Sequence, residues 1–433
     1  MIKTIVIYTG LILSVFLNSC KKDKNLLEQN ISIRIDSIFP NEGNYRTEVL
    51  IFGNNFDQLP SSAFVTLNNK HCTILSKSNT LLKLKLPERA GSGAFQIHAG
   101  AQVFSAYTFS YHFIYATSTV AGDGTIGLRN GPGNQAQFYY PVGIVKDSKG
   151  DYFITDYYNS VVRKMDKNYN ITTYAGSVFG LTEGNRTTAK FALCSGIAID
   201  NQDNIYIGDT YNHRIRKITN DGIVSTVAGS SWGYVDDVGI NAKFNQPKGI
   251  ALDSKGNLYI ADYNNDRVRK LMPNGRVETY AGSTKGYQDG VGTNAKFNYV
   301  NNLCVDAYNN VYVSDASNNR IRKIDTNRIV TTFAGDGTVG LQDGLLISCK
   351  FSEPKGVYID NNQNVWVPDF GNHVLRKIIA NSITTLIGST QGFQEGENRS
   401  AKFNYPGYLL FEGDSLILMC DTYNQRIRKI TIK

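Results

Sequence analysis

The chain has 433 residues, 41% hydrophobic, 11% aromatic and 19% charged, with a formal net charge of +8. That length exceeds one ordinary domain and that composition can bury a large core, which excludes wholesale disorder. No run reaches the roughly 18 apolar residues of a membrane-spanning helix, which excludes a bundle of such helices, and the mild charge does not decide for or against an acidic partner. With 40 Gly, 10 Pro and 26 Tyr, the balance favours turn-rich β structure over helix bundles.

Met1 and Lys3 precede an apolar run from Ile5 to Leu17 that ends in Leu17-Asn18-Ser19-Cys20. A charged start, a short apolar stretch and small residues before a cut describe a secretory signal. LNSC resembles the lipobox of bacterial lipoproteins. The resemblance implies a signal over residues 1–19, lipidation of Cys20 as the first mature residue, and a polar tether over 20–30. It implies a protein anchored to the bacterial outer membrane by acyl chains, with the cell surface expected and the periplasmic face as the other option. Five cysteines then remain, an odd number that cannot all pair within the chain, and no CxxC spacing suggests zinc or redox chemistry. Small buried thiols are expected.

From Ile31 to about Tyr115, short alternating runs such as ISIRIDSIF, EVLIFG, AFVTL, LLKLKL and AFQIHA are broken by turn residues. Such strands at short intervals predict an antiparallel sandwich. IDSIFPNEG, VLIFGNNF and LPERAGSGAFQI resemble the IPT/TIG domain, an immunoglobulin-like fold used as a spacer or interaction module. His71, His98 and His112 are too far apart in sequence to suggest a metal site.

Residues 116–433 are periodic. A glycine after a small apolar run falls at Gly122, Gly176, Gly229, Gly282, Gly335 and Gly388, spaced by 53 or 54. An Asp closes the second apolar run of each unit, from Asp156 to Asp421; an Asn follows three residues later and an Arg-Lys pair four beyond that. Each unit holds four short strand candidates, the pattern of a six-bladed β-propeller. The units resemble the NHL repeat, with Asn302 and Tyr408 departing from its first-strand Gly. STVAG at 118–122 is a fourth strand without partners of its own unit, and QRIRKITIK is a third strand without a fourth, so the two are expected to close one blade together. The expected fold is all-β: an N-terminal immunoglobulin-like sandwich, then a six-bladed β-propeller closed by its N- and C-terminal strands.

In a four-stranded antiparallel blade, the second-to-third turn and the fourth-to-first connection emerge on one face. The D-x-x-N turns and the loops of some 20 residues therefore crowd the same face, where a rigid scaffold commonly places binding. Positions common to all units, the Asp, Asn, Arg-Lys and the Phe series from Phe138 to Phe403, are expected to be structural, the Asp and Arg rings as capping and inter-blade pairs. Function is expected where units differ. In the long loops stand Trp232, Tyr234, Tyr287 and Phe393. Beside the Asp stand Tyr158, Tyr211, Tyr263, Phe370 and Tyr423. Two residues past the repeated Phe stand Tyr140, Gln246, Tyr299, Glu353 and Tyr405, and next to the first strands Lys248 and Lys355. Flat rings with polar tips suit sugars and other amphipathic ligands.

These features predict a surface lipoprotein that binds an extracellular glycan or peptide without catalysis, with no cofactor and no nucleic-acid partner. By analogy it would serve an outer-membrane uptake complex. The alternative is a metal-dependent hydrolase or lyase, lactonase-like or amidating-lyase-like. No Ser-His-Asp constellation is visible, and His213 and His373 stand three repeats apart. A loop position carrying Asn130, Glu183, Asp236, Asp289, Asp343 and Glu395 could offer oxygen ligands to calcium; turn capping is the expected role.

Overall fold

The computed structural model describes residues 31–433. The signal, the tether and Cys20 lie outside the described residues. Among the described residues regular structure is β strand with short 3-10 turns, and no helix is long and apolar enough to cross a membrane. The chain divides between Tyr111 and His112 into two units.

The first unit is a sandwich. One layer pairs Arg34–Phe39, Glu48–Asn54, Leu81–Lys85 and Lys70–Lys77; the other pairs Phe64–Leu67, Gly93–Ala99 and Gln102–Tyr111. Lys70–Lys77 belongs to both, since Lys70 to Cys72 pair with Phe64–Leu67 and Thr73 to Lys77 with Leu81–Lys85. The alternation read in the sequence supplies the core: Val49, Ile51, Leu82 and Leu84 from one layer meet Val65, Leu67, Phe95, Ile97 and Phe109 from the other, all fully buried. Strand pairing brings together two histidines that sequence separation had set apart: His71 and His98 both pack on the Phe64 ring, at 4.7 and 4.4 Å between centroids.

The second unit is a propeller of six antiparallel blades. Blade 3 is representative, with Pro247–Leu252 innermost, then Leu258–Asp262, Arg267–Leu271 and Val277–Ala281. Its second strand is buried at every residue, because a blade is covered on both faces by its neighbours. The cores lie at those seams: Tyr259 and Ala261 of blade 3 meet Val300, Leu303, Val311 and Val313 of blade 4. Blade 6 takes its outermost long strand, Tyr115–Ala121, from the start of the unit and pairs it with Arg426–Ile432 at the end, which seals the ring as expected. Each long loop also runs past the outside of the blade it enters. Gly184–Asn185, for example, adds a short fifth strand to Ile223–Ala228 and covers that edge.

Candidate functional site

The D-x-x-N turn and the long loop meet on one face, and the repeated polar residues bind them together. In blade 3, Asp262 accepts a hydrogen bond from the Asn245 amide and pairs with Arg269 at 2.8 Å, with both side chains fully buried. Asn265 donates to Asp262 and to the Gly233 carbonyl of the loop. Arg269 donates to the Lys243 and Val235 carbonyls, and its guanidinium lies over Phe244 at 5.1 Å. The same buried Asp–Arg pair occurs in all six blades. These pairs lie within a blade and tie each loop to its own blade, which corrects the expectation that they join neighbours. Burial pushes the six carboxyls up, while the guanidinium, the Asn amide and a backbone amide pull them down. The acidic loop position also has partners: Glu183, Asp236, Asp289, Asp343 and Glu395 accept backbone amides of the outer strands, and three of them bridge to the buried Arg.

A hydrogen bond repeated at every seam between blades comes from the residue after the Asn, for which no signal was read in the sequence. Ser160, His213, Asp266, Asn319, His373 and Gln425 all have positive φ. Each side chain accepts the backbone amide of the next blade at Leu193, Gln246, Tyr299, Glu353, Tyr405 and Tyr140, at 2.6–3.2 Å. Those six acceptor-bound residues are the positions two past the repeated Phe, and they too have positive φ. The two histidines therefore serve as latches on opposite sides of the ring. Each accepts through Nδ1, and burial lowers both pKa values.

Inside this latch ring the channel mouth opens as a cavity of about 200 Å³, lined by Tyr140, Val142, Tyr157, Tyr158, Ser195, Lys248, Asn301, Lys355, Phe370, Gly407, Tyr408 and Thr422. Val142, Ser195, Lys248, Asn301, Lys355 and Gly407 are one register position on the six innermost segments. The next residue inward is Gly in four blades, which lets the segments approach closely: a Cβ on Gly249 would stand 2.5 Å from the Asn302 Cα. In the other two blades that position carries the departures from the repeat. Asn302 donates to the Tyr358 hydroxyl at 2.7 Å, and Tyr408 is nearly buried and lines the cavity.

The cavity gathers part of the residue set expected from sequence. Tyr140, Tyr158, Phe370, Lys248 and Lys355 line it directly. Tyr405 and Tyr423 continue the wall through ring contacts of 4.6 Å to Phe370 and 4.8 Å to Tyr140. Tyr263 stacks on Tyr299 at 4.8 Å and carries the Lys248 ammonium on its face, with Nζ 3.2 Å from the centroid. The Lys355 Nζ lies 3.8 Å from the Phe370 centroid and 3.9 Å from the Glu353 carboxylate. Burial first, then the charge of Lys355, lowers Lys248 to about 7; burial lowers Lys355 as well. Burial and then the Tyr423 hydroxyl push the Tyr140 phenol far up, so it stays a neutral donor and acceptor.

Other residues of that set stand apart from the cavity lining. Tyr234, Tyr287 and Phe393 lie flat against Arg267, Arg320 and Arg426 at 3.8–4.0 Å, and the two tyrosines bond Thr279 and Thr332 of the outer strands. Trp232 is 71% exposed at the loop tip, and Tyr211 is about half exposed. Gln246 is tied by its amide to His213. Val142, Ser195 and Gly407 were not singled out from sequence; their shared register with Lys248 and Lys355 was the available signal. Among the described residues no group of three or more His, Cys, Asp and Glu could hold a metal ion.

Comparisons with known proteins match this architecture. The IPT/TIG domain family matches residues 34–111, and the NHL repeat matches residues 191–218 and 244–271. Protein SUPPRESSOR OF QUENCHING 1, chloroplastic, of Arabidopsis thaliana is 28% identical over 288 residues, 60% of this chain; the chain spans only 27% of that relative's length. A structural genomics protein of unknown function from Bacteroides thetaiotaomicron superposes with a TM-score of 0.60 at 20% identity, covering 94% of this chain and 99% of that one. An auxiliary nutrient binding protein from Bacteroides ovatus gives 0.60 at 17% identity, covering 93% and 98%. At such identities the likeness is one of fold. The chain thus combines an IPT/TIG domain with a six-bladed β-propeller built on NHL repeats.

Proposed function

We propose that the protein is a lipid-anchored surface protein of the bacterial outer membrane whose propeller binds an extracellular glycan at the channel mouth without turning it over. The observation that carries this reading is the cavity itself, where rings from several blades surround a few hydrogen-bonding groups on rigid strands. Aromatic faces supply contact area to the C–H faces of sugars at low conformational cost, and the polar groups set orientation. The Bacteroides ovatus protein of the same fold is called an auxiliary nutrient binding protein, which supports a binding role by likeness of fold alone. Cys20 would supply the anchor, and an outer-membrane uptake complex is the expected setting.

The test is a glycan array run with a turnover assay of every hit. Binding without product supports the reading, and product formation abolished by a chelator would replace it with the metal-dependent hydrolase or lyase. Mass spectrometry of the mature N-terminus tests the anchor: an acylated Cys20 is expected, and an unmodified Cys20 would exclude lipidation at that residue.

A further inference from the structure

We propose that the channel-mouth cavity selects a sugar bearing an anionic substituent, a carboxylate or a sulfate, bound between Lys248 and Lys355. This rests on the reading of the cavity as the glycan site and specifies its ligand class. Of the six equivalent positions around the channel, the two that carry ionisable side chains are both lysines, on blades 3 and 5. Their ammonium groups rest on ring faces, 3.2 Å from the Tyr263 centroid and 3.8 Å from that of Phe370. Among the described residues no carboxylate lies within 4.0 Å of the Lys248 Nζ. The one beside Lys355 is Glu353, at 3.9 Å and 58% exposed on the rim. Asp266 is occupied by the Tyr299 amide, and His213 and His373 accept hydrogen bonds as neutral rings.

Two cations in one ring-lined cavity, Lys248 with no carboxylate in reach and Lys355 with only the exposed Glu353, are costly without an anion. A cation–π contact offsets only part of that cost, and burial without a paired carboxylate remains unfavourable. Burial and mutual repulsion lower Lys248 to about 7. An anionic group between the lysines reverses both effects and gains charge-assisted hydrogen bonds. A neutral sugar would leave the repulsion in place.

The experiment is calorimetric titration of the full chain with oligogalacturonate and chondroitin sulfate oligosaccharides, against neutral galacto- and gluco-oligosaccharides and an oligoglutamate peptide. At least one acidic sugar should bind tenfold or more tightly than its neutral counterpart, and carboxylate against sulfate identifies the group. Its affinity should fall between pH 6 and pH 8.5 as Lys248 loses its proton. Lys248→Met should abolish the preference and Lys248→Arg should retain it, with thermal unfolding of both variants showing whether they fold. Neutral sugars binding as tightly as acidic ones, or a preference unchanged in Lys248→Met and Lys355→Met, would overturn the inference and leave the glycan reading standing. Oligoglutamate binding in place of any sugar would overturn both the inference and the glycan reading. Failure of every acidic probe would overturn the inference.

Discussion

Around the rim of the propeller one contact is made six times, while around its hub six equivalent positions carry five residue types. The rim contact is the buried Asp–Arg pair with its Asn and Phe, from Asp156–Arg163 to Asp421–Arg428. The hub positions are Val142, Ser195, Lys248, Asn301, Lys355 and Gly407. Identical contacts solve a problem every blade shares, holding a long loop onto a twisted sheet. Unlike residues solve none of the blades' common problems, and they converge where a ligand would meet all six at once. The repeated element is thus the frame, and the unrepeated one is the candidate site.

The largest expected effect breaks the frame. Arg269→Met leaves Asp262 buried without its cation and should cost about 3–5 kcal/mol in urea unfolding of the propeller; a loss below about 1 kcal/mol would mean that the pair is not structural. Next is the close approach behind the hub. Gly249→Ala places a Cβ against the Asn302 backbone and should destabilise by about 1–3 kcal/mol, read in the same assay.

A binding measurement sharpens the contrast further. With the best glycan from the array, Tyr158→Ala should weaken binding by more than about 1 kcal/mol, whereas Trp232→Ala, outside the cavity lining, should change it by less. Equal losses would move the site outward to the loop tips.

The smallest expected effect concerns the latches. His213 and His373 accept amide protons through Nδ1, so they must be neutral in the folded state, and their pKa values lie below the ordinary value of about 6.5. At acid pH the unfolded chain binds more protons than the folded one. Stability is therefore fully present above about 6.5 and is lost as pH falls toward the lower folded values. The melting temperature should drop over that range, and less steeply in a His213→Gln, His373→Gln double variant, since Gln425 makes the same latch in blade 6.

The residues of the frame were legible in the sequence because they recur at fixed spacing in every unit, while their pairing within a blade was not. Asp262 and Arg269 meet diagonally across one hairpin: Asp262 pairs in register with Arg267, and Arg269, two residues on, lies on the same side of the sheet. The candidate site was legible only in part. Tyr140, Tyr158, Phe370, Lys248 and Lys355 were recognised as residues that vary on the loop face, but so were Tyr234, Tyr287 and Phe393, which pack against arginines that open the third strands. One aromatic residue per repeat looks the same in sequence whether it faces the hub or clamps a loop.

By itself the sequence determined the strands, the number of blades, their closure by the two end strands and the face on which the long loops gather. All of these follow from periodicity and strand parity, which are properties of neighbouring residues. Only the tertiary structure decided that Tyr140, Lys248, Lys355 and Phe370, spread over more than 200 residues of chain, line one cavity. It also decided that the histidines are latches, and that Asp and Arg pair within a blade. Distances across a closed ring depend on how tightly the innermost strands approach, and that is fixed by packing at every seam together.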